Sequence, residues 1–284
     1  MAMSSLPKKE PVAITGSRGF IGSNLVQVFE QRNIPYIAFE GDLLDFESVK
    51  YFFKANPAKQ VIHLAGRFAG SFEQLIHQNV MTTQHLLEAG IESGLEKIIY
   101  TSTGAVYGEP INDVSFESDL CQPNTLYGLS KKMAEDVILH HHLVKGIKYI
   151  ILRFPNVYGE GNKKGVLYNF LKDIHSKGSI TIAGDGKQSR NFLHVSDACE
   201  AIIKSIRYNQ NDIFNISTTG KTSINDIVSL LKQYYSFDTI HKAADNNLKS
   251  LLLDTSKAET ILGFKAIIND PSSYIQNFRC GEGG

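Results

Sequence analysis

From Val12 to Arg153, short apolar runs alternate with stretches of helical spacing, and this alternation restricts the fold more than any other feature of the chain. The runs VAIT (12–15), YIAF (36–39), VIHL (61–64), KIIYT (97–101) and YIILR (149–153) read as strands. Phe20–Gln31, Val49–Lys54, Leu75–Ser93 and Lys131–Val144 read as helices, the first with Ile21, Leu25, Val28 and Phe29 at helical spacing. Strand, helix and parallel strand connect with one hand, so the pattern predicts βαβ units in a parallel sheet covered on both faces. The runs have few polar breaks, as strands buried on both faces require. The 284 residues, 42% of them hydrophobic, are enough for one large domain or two modest ones. After Pro155 the alternation breaks up among Gly159, Gly161, Gly165, Gly178, Gly184 and Gly186. That portion reads as a smaller, loop-rich α/β region, with residues 159–189 expected to be loose.

Charge and cysteine content exclude several functions. Lys+Arg and Asp+Glu both number 29, so the chain lacks the basic excess of a nucleic-acid binder. Cys121, Cys199 and Cys280 lie far apart, without a CxxC or Cys/His cluster. That argues against a zinc site or a disulfide framework and for a reduced, cytoplasmic protein. His140, His141 and His142 are adjacent, but consecutive helix residues point about 100° apart and cannot all face one ion. No apolar run reaches the ~18 residues of a membrane span. Residues 1–11 lack the hydrophobic segment of a secretion signal and are expected to form a flexible leader.

Residues 12–22 read VAITGSRGFIG, with Gly16, Gly19 and Gly22 between a predicted strand and a predicted helix. In that position one glycine permits the turn, one lets backbone approach a pyrophosphate, and one lets helix pack on strand. The N–H groups at the helix start are free to meet the phosphates. The spacing is GxxGxxG rather than GxGxxG. It predicts a dinucleotide site in a Rossmann-like doubly wound sheet, over residues 12–155 with about 192–217. The substrate region is expected over 156–191 and 218–284. Glu40, ending the second strand, is placed to accept the ribose hydroxyls and repel a 2′-phosphate, which favours NAD. Arg18 could neutralise a 2′-phosphate, which keeps NADP open. Gly41–Asp45 follow directly and leave no room for another crossover. The sheet is therefore expected to be one βα unit shorter than the usual six- or seven-stranded version.

TSTGAVY (101–107) follows a predicted buried strand, and YGLSK (127–131) opens a helix. Tyr127 and Lys131 are spaced i, i+4 and share a helix face. A phenol is a poor base at neutral pH, and a nearby ammonium is expected to lower its pKa. Thr103 or Ser102 can hydrogen-bond the same substrate oxygen. Together these groups form a proton-transfer set suited to an alcohol that gives up a hydride.

The order of TGSRGFIG (15–22), GDLLD (41–45), VIHLAG (61–66), TSTGAVYG (101–108), YGLSK (127–131), LRFPNVYGEGN (152–162), GDGKQSRNFLHVSD (184–197) and LDTSKAETILGF (253–264) resembles the extended short-chain dehydrogenase/reductases of the NAD-dependent epimerase/dehydratase family. The resemblance implies catalytic roles for Thr103, Tyr127 and Lys131. It implies cofactor contacts at Gly16, Gly19, Phe20, Ile21, Gly22, Glu40, Asp42, Leu43, Leu64, Ala65, Gly66, Asn79, Ser102, Tyr127, Lys131 and Pro155. It implies substrate contacts at Thr103, Tyr127, Asn156 and Arg190, the last two on a sugar diphosphate. His194, in the HVSD stretch, reads as structural. The chain departs from the family in three places. Gly104-Ala105 stand where sugar dehydratases carry Asp-Glu, which argues against dehydration. Asn191 follows Arg190 in place of the usual Asp, a change expected to be mild. Residues 241–254 contain no second phosphate-binding arginine, leaving Lys242 or Lys249 as substitutes. The expected reaction is 4-epimerisation of a nucleotide-diphosphate sugar through a transient 4-keto sugar, with NAD as cofactor. A 4-keto-6-deoxy sugar reductase and a non-catalytic dinucleotide-binding regulator are the alternatives. The resemblance also implies a homodimer through the helices Leu75–Ser93 and Lys131–Val144, with Val80, Leu86, Leu87, Val137, Ile138 and Leu143 as apolar surface.

Overall fold

A computed structural model describes residues 10–110, 113–243 and 250–279. The expected leader up to residue 9, Lys249 and Cys280 lie outside the described residues. The chain runs β1 (Val12–Thr15), α1 (Phe20–Gln31), β2 (Tyr36–Phe39), α2 (Phe46–Ala55), β3 (Gln60–His63), α3 (Phe72–Leu75), α4 (Thr82–Glu92) and β4 (Lys97–Thr103). It continues with β5 (Val114–Ser115), α5 (Leu126–Lys145), β6 (Lys148–Phe154), β7 (Asn156–Tyr158), α6 (Val166–Lys177), β8 (Ser179–Ala183), β9 (Ser189–Arg190) and β10 (Phe192–His194). Then follow α7 (Val195–Arg207), β11 (Asp212–Asn215), β12 (Thr222–Ser223), α8 (Ile224–Leu231), β13 (Asp238–Lys242) and β14 (Leu252–Leu253).

Six parallel strands form the central sheet in the order β11-β6-β4-β3-β1-β2. β2 is its edge, because Gly41–Asp45 turn straight into α2, where the Asp45 side chain accepts from Ser48 N. Among the described residues no further strand lies beyond β2, as the short connection predicted. Successive residues of the strands go to opposite sides. Ile14, Ile62, Ile99 and Ile150 enter one core, whereas Ala13, Val61, Ile98 and Ile151 enter the other. That two-sided burial explains the unbroken apolar runs. Leu25 and Phe29 of α1 and Ile202 of α7 cover the first face. Leu86, Leu87, Ala134 and Ile138 of α4 and α5 cover the second.

Several elements depart from expectation. The helix expected over Leu75–Ser93 starts at Phe72, behind a Ser71–Gln74 capping box, and contains a π-helical turn at Ile76–Met81. α5 starts at Leu126 because Thr125 Oγ1 accepts from Gly128 N at 3.0 Å. Residues 159–189 are not loose throughout. Leu167, Leu171, Ile174, Ile180 and Ile182, from α6 and β8, form a third core with Ile227 and Leu231 of α8. The apolar surface expected for a dimer is mostly internal. Leu86, Leu87 and Ile138 are fully buried and Val80 nearly so, while Leu143 is 81% exposed.

The glycine turn holds this architecture tightly. Gly16 adopts φ +71°, and a Cβ there would lie 2.6 Å from Ala65 N. A Cβ on Gly22 would lie 2.1 Å from Gly16 O. Gly22→Ala is therefore expected to lower unfolding stability by about 2 kcal/mol, the scale of a forced overpacking, as read by urea denaturation.

Candidate active site

β4 delivers Thr103 to the carboxyl edge of the sheet, where its hydroxyl accepts from Ala105 N at 3.2 Å and starts a tight turn over Gly104–Val106. The Thr125 cap places Tyr127 in the first turn of α5, half-buried, lining the same cavity as Thr103. Burial pushes the Tyr127 phenol up to about 12, against the opposing pull of the Thr103 hydroxyl. Lys131 lies one turn further on and is buried. Its Nζ donates to Thr101 O at 2.7 Å and lies 4.0 Å from the centroid of the Tyr100 ring. Burial pulls Lys131 down to about 7, with Glu135 countering. The expectation that Lys131 lowers the Tyr127 pKa is thus not met, since the phenol is raised. The ammonium turns to Thr101 and Tyr100, and a dry pocket disfavours both ions.

Beneath these residues lies a buried polar network that sequence reasoning missed. Arg153 of β6 donates through Nε (3.1 Å) and Nη2 (2.7 Å) to the Glu135 carboxylate on α5. Ser102 of β4 donates to the same carboxylate at 2.5 Å. Arg153 Nη1 donates to the Tyr107 hydroxyl at 2.8 Å, and Tyr107 in turn to Asn215 Oδ1 at 2.8 Å. Ser102 is thereby engaged with Glu135, and Thr103 is the hydroxyl that meets Tyr127. The available signal was the spacing of Tyr127, Lys131 and Glu135, each four residues apart on one helix.

Ile21, Leu64, Gly66, Asn79, Ser102, Thr103, Tyr127, Lys131 and Pro155 line one cavity of about 190 Å³. Arg67 and Phe68, not foreseen, line it too, and the Phe68 ring lies 4.9 Å from that of Tyr127. Asn79 sits in the π-helical turn. Its Oδ1 accepts from Arg67 N at 2.7 Å, and its Nδ2 donates to Arg67 O and Ser130 Oγ. It ties the loop after β3 to α5. Gly19 caps α1 without a side-chain bond, and the first turn of α1 holds no acid. Phe20 and Ile21 therefore begin a helix whose N–H groups suit a diphosphate, which fits a dinucleotide. Glu40, Asp42 and Leu43 stand outside the cavity, past the end of β2. Glu40 pairs with Arg18 at 2.5 Å, both exposed, which is a weak interaction. Asp42 accepts from Leu44 N at 2.9 Å, and Leu43 is buried in the core. Ala65 packs against Gly16.

Asn156 and Arg190 do not line the cavity. Asn156 is exposed on β7, directly after Pro155, and Arg190 is half-buried on β9, donating to Ser189 O at 2.8 Å. Asn191 does more than a mild substitution implies. Its Nδ2 donates to Thr218 O and Gly220 O, and its Oδ1 accepts from Leu253 N. A carboxylate could make neither donation. His194 caps α7 through Ser196 N at 3.3 Å, a structural use. Lys242 is exposed on β13.

The family model described as the NAD dependent epimerase/dehydratase family matches residues 12–217. This chain belongs to that family. It is 31% identical to a Methanocaldococcus jannaschii protein provisionally named a UDP-glucose 4-epimerase, over 91% of this chain and 94% of that one. It is 28% identical to the Escherichia coli dTDP-4-dehydro-6-deoxyglucose reductase, over 96% and 99% of the two chains. Among solved structures, the Thermotoga maritima UDP-glucose 4-epimerase with UDP-glucose superposes with a TM-score of 0.87 at 25% identity, covering 94% of this chain and 96% of that one. As an enzyme of this family the chain has a six-stranded parallel sheet, and no described helix is long and apolar enough to cross a membrane.

Two measurements test this geometry. Glu135→Ala strands a buried arginine and is expected to cost about 3–5 kcal/mol in urea denaturation, most of it regained in the double variant Glu135→Leu/Arg153→Met. Lys131 binds a proton up to its ordinary pKa of 10.5 when unfolded but releases it above about 7 when folded. Between those values the unfolded state holds more protons, so stability rises with pH. Relative to Lys131→Met, the wild type is expected to gain up to about 1 kcal/mol per pH unit across that window.

Proposed function

We propose that this enzyme is an NAD-dependent 4-epimerase of nucleotide-diphosphate hexoses, working through a transient 4-keto sugar. The observation that carries the proposal is the meeting of the Tyr127 and Thr103 hydroxyls and a buried Lys131 in the lining of one cavity. Relatives named as 4-epimerases align over more than nine-tenths of the chain and support it. Relatives named dTDP-D-glucose 4,6-dehydratases are also similar to this chain, but Gly104 and Ala105 supply no acid or base for removing water, which disfavours dehydration.

Gly16, Gly19 and Gly22, the start of α1, and Glu40 are the residues that would hold NAD, with Glu40 exchanging Arg18 for the ribose hydroxyls. MoeE5, 28% identical over 91% of this chain, has a solved structure with UDP-glucose and NAD, which supports the choice of cofactor. When bound, NAD⁺ would supply the hydride acceptor and a positive charge. A neighbouring cation lowers a phenol's pKa. Tyr127 then takes the 4-hydroxyl proton while Thr103 holds the same oxygen and C4 gives up its hydride. Lys131, when protonated, favours the phenolate and binds the cofactor ribose. Arg190 and Asn156 hold the sugar diphosphate, the arginine through its planar fork. Anchoring the diphosphate leaves the keto ring free to present its other face. Tyr127 would then return the proton to the oxygen at C4. A homodimer accompanies this reading, through exposed apolar residues on or beside α4 and α5 such as Met81, Leu143 and Val144. Light scattering at micromolar concentration is expected to give twice the monomer mass.

A proton NMR time course with UDP-glucose and catalytic NAD⁺ tests the proposal. A new anomeric signal growing to a fixed ratio is expected, slowed at least about 100-fold by Tyr127→Phe. The competing reading, a 4-keto-6-deoxy sugar reductase, has the E. coli relative in its favour. It would show no interconversion, and stoichiometric consumption of NAD(P)H with a 4-keto-6-deoxy sugar.

A further inference from the structure

We propose that Asn215 is a positioning residue that sets the spacing between the reacting hydroxyls and Arg190. The inference rests on the reading that Arg190 holds the sugar diphosphate. With the diphosphate anchored there, C4 of the sugar meets Tyr127 and Thr103 only if the two places keep one separation. They belong to different parts of the molecule. Thr103 and Tyr127 stand on β4 and α5, whereas Arg190 lies on β9, paired with Thr222 of β12 and bridged to Leu251. Asn215 ends β11, the edge of the central sheet opposite β2. It is fully buried and does not line the reaction cavity.

The two ends of the Asn215 amide face the two places. Towards the reacting groups, its Oδ1 accepts from the Tyr107 hydroxyl at 2.8 Å. Tyr107 accepts from Arg153, and Arg153 donates to Glu135 of α5, the helix that carries Tyr127. Towards the anchor, Asn215 Nδ2 donates to Ser115 O at 3.0 Å. The same carbonyl accepts from Asp254 N at 2.9 Å, and the adjacent Leu253 N donates to Asn191 Oδ1 at 2.8 Å. Asn191 is the neighbour of Arg190 in the chain. A second route ends at the same amide, because the segment leaving Asn215 offers Thr218 O and Gly220 O to Asn191 Nδ2. Both ends of the Asn191 side chain are thereby referred to Asn215, once through β5 and β14 and once through the backbone that follows β11. Glu135, Arg153, Tyr107, Asn215, Ser115 and Asn191 are all buried. Buried polar groups cost free energy when unpaired, so each bond resists displacement of its partners. Tyr107 and Leu253 also pack in one apolar cluster with Val106, which jackets the path.

Tyr107→Phe and Asn215→Asp, each in the NAD⁺-loaded full chain, test this. The first removes the hydroxyl between Arg153 and Asn215. The second puts an acceptor where a donor faces Ser115 O. Both are expected to bind UDP within about twofold of the wild type by calorimetry, because Arg190 itself is intact. Their kcat for UDP-glucose, followed by proton NMR, is expected to fall at least about tenfold, since a displacement of about 1 Å can cost a hundredfold. An unchanged kcat in either folded variant overturns the proposal. So does a UDP affinity that falls in step with kcat, the result of a merely structural role. Arg190→Ala is expected to weaken UDP at least about tenfold. If it binds UDP as the wild type does, the anchor assignment falls and the proposal with it, while turnover by the wild type still upholds the 4-epimerase reading. A wild type that leaves UDP-glucose unchanged overturns both. Should Asn215→Asp fail to fold, Tyr107→Phe decides.

Discussion

The buried pair between Arg153 and Glu135 is the interaction on which the site depends. It joins α5, which carries Tyr127 and Lys131, to β6, which leads into Pro155 and Asn156. Ser102 of β4 adds a third attachment, one residue before Thr103. A helix lying on a sheet through Leu, Ile and Ala contacts can rotate or slide by small amounts at little cost. A carboxylate that accepts from two strands fixes its rotation, and with it the face that Tyr127 and Lys131 share. Such a pair adds little net stability over an apolar replacement, because desolvating two charges offsets their attraction. Here it positions α5 against the strands that carry the other site residues.

The same dryness sets the resting chemistry. Tyr127 is pushed up to about 12 and Lys131 down to about 7, so the pocket disfavours both the phenolate and the ammonium. Lys131 rests against the Tyr100 ring and Thr101 O rather than against Tyr127. The proposed reaction needs the opposite charge states, and a cationic cofactor is the group that would favour the phenolate.

Much of this was legible in the sequence because it follows from short-range pattern. Alternating apolar runs gave away the two-sided parallel sheet, and the brevity of Gly41–Asp45 marked β2 as the edge. The four-residue spacing placed Tyr127 and Lys131 together. What was not legible depends on contacts between distant segments. Asn191 looked like a mild replacement, yet its amide bridges Thr218, Gly220 and Leu253. Leu86, Leu87 and Ile138 read as dimer surface, although the sheet itself claims them. Glycines at 159–186 suggested looseness, while Leu171 and Ile180 were already supplying a third core. Arg67 and Phe68 lie in a loop whose path is set by Asn79, so no periodicity pointed to them.

In the proposed reaction one carbon is oxidised and reduced in place while Tyr127 handles only the hydroxyl proton. Conversion of UDP-glucose by the NAD⁺-loaded enzyme in deuterium oxide, read by proton NMR at each ring position, tests that directly. The product is expected to keep its hydrogen at C4 and to carry no deuterium on any ring carbon. Deuterium at the inverted carbon would show that a proton rather than a hydride had moved, and would contradict the mechanism.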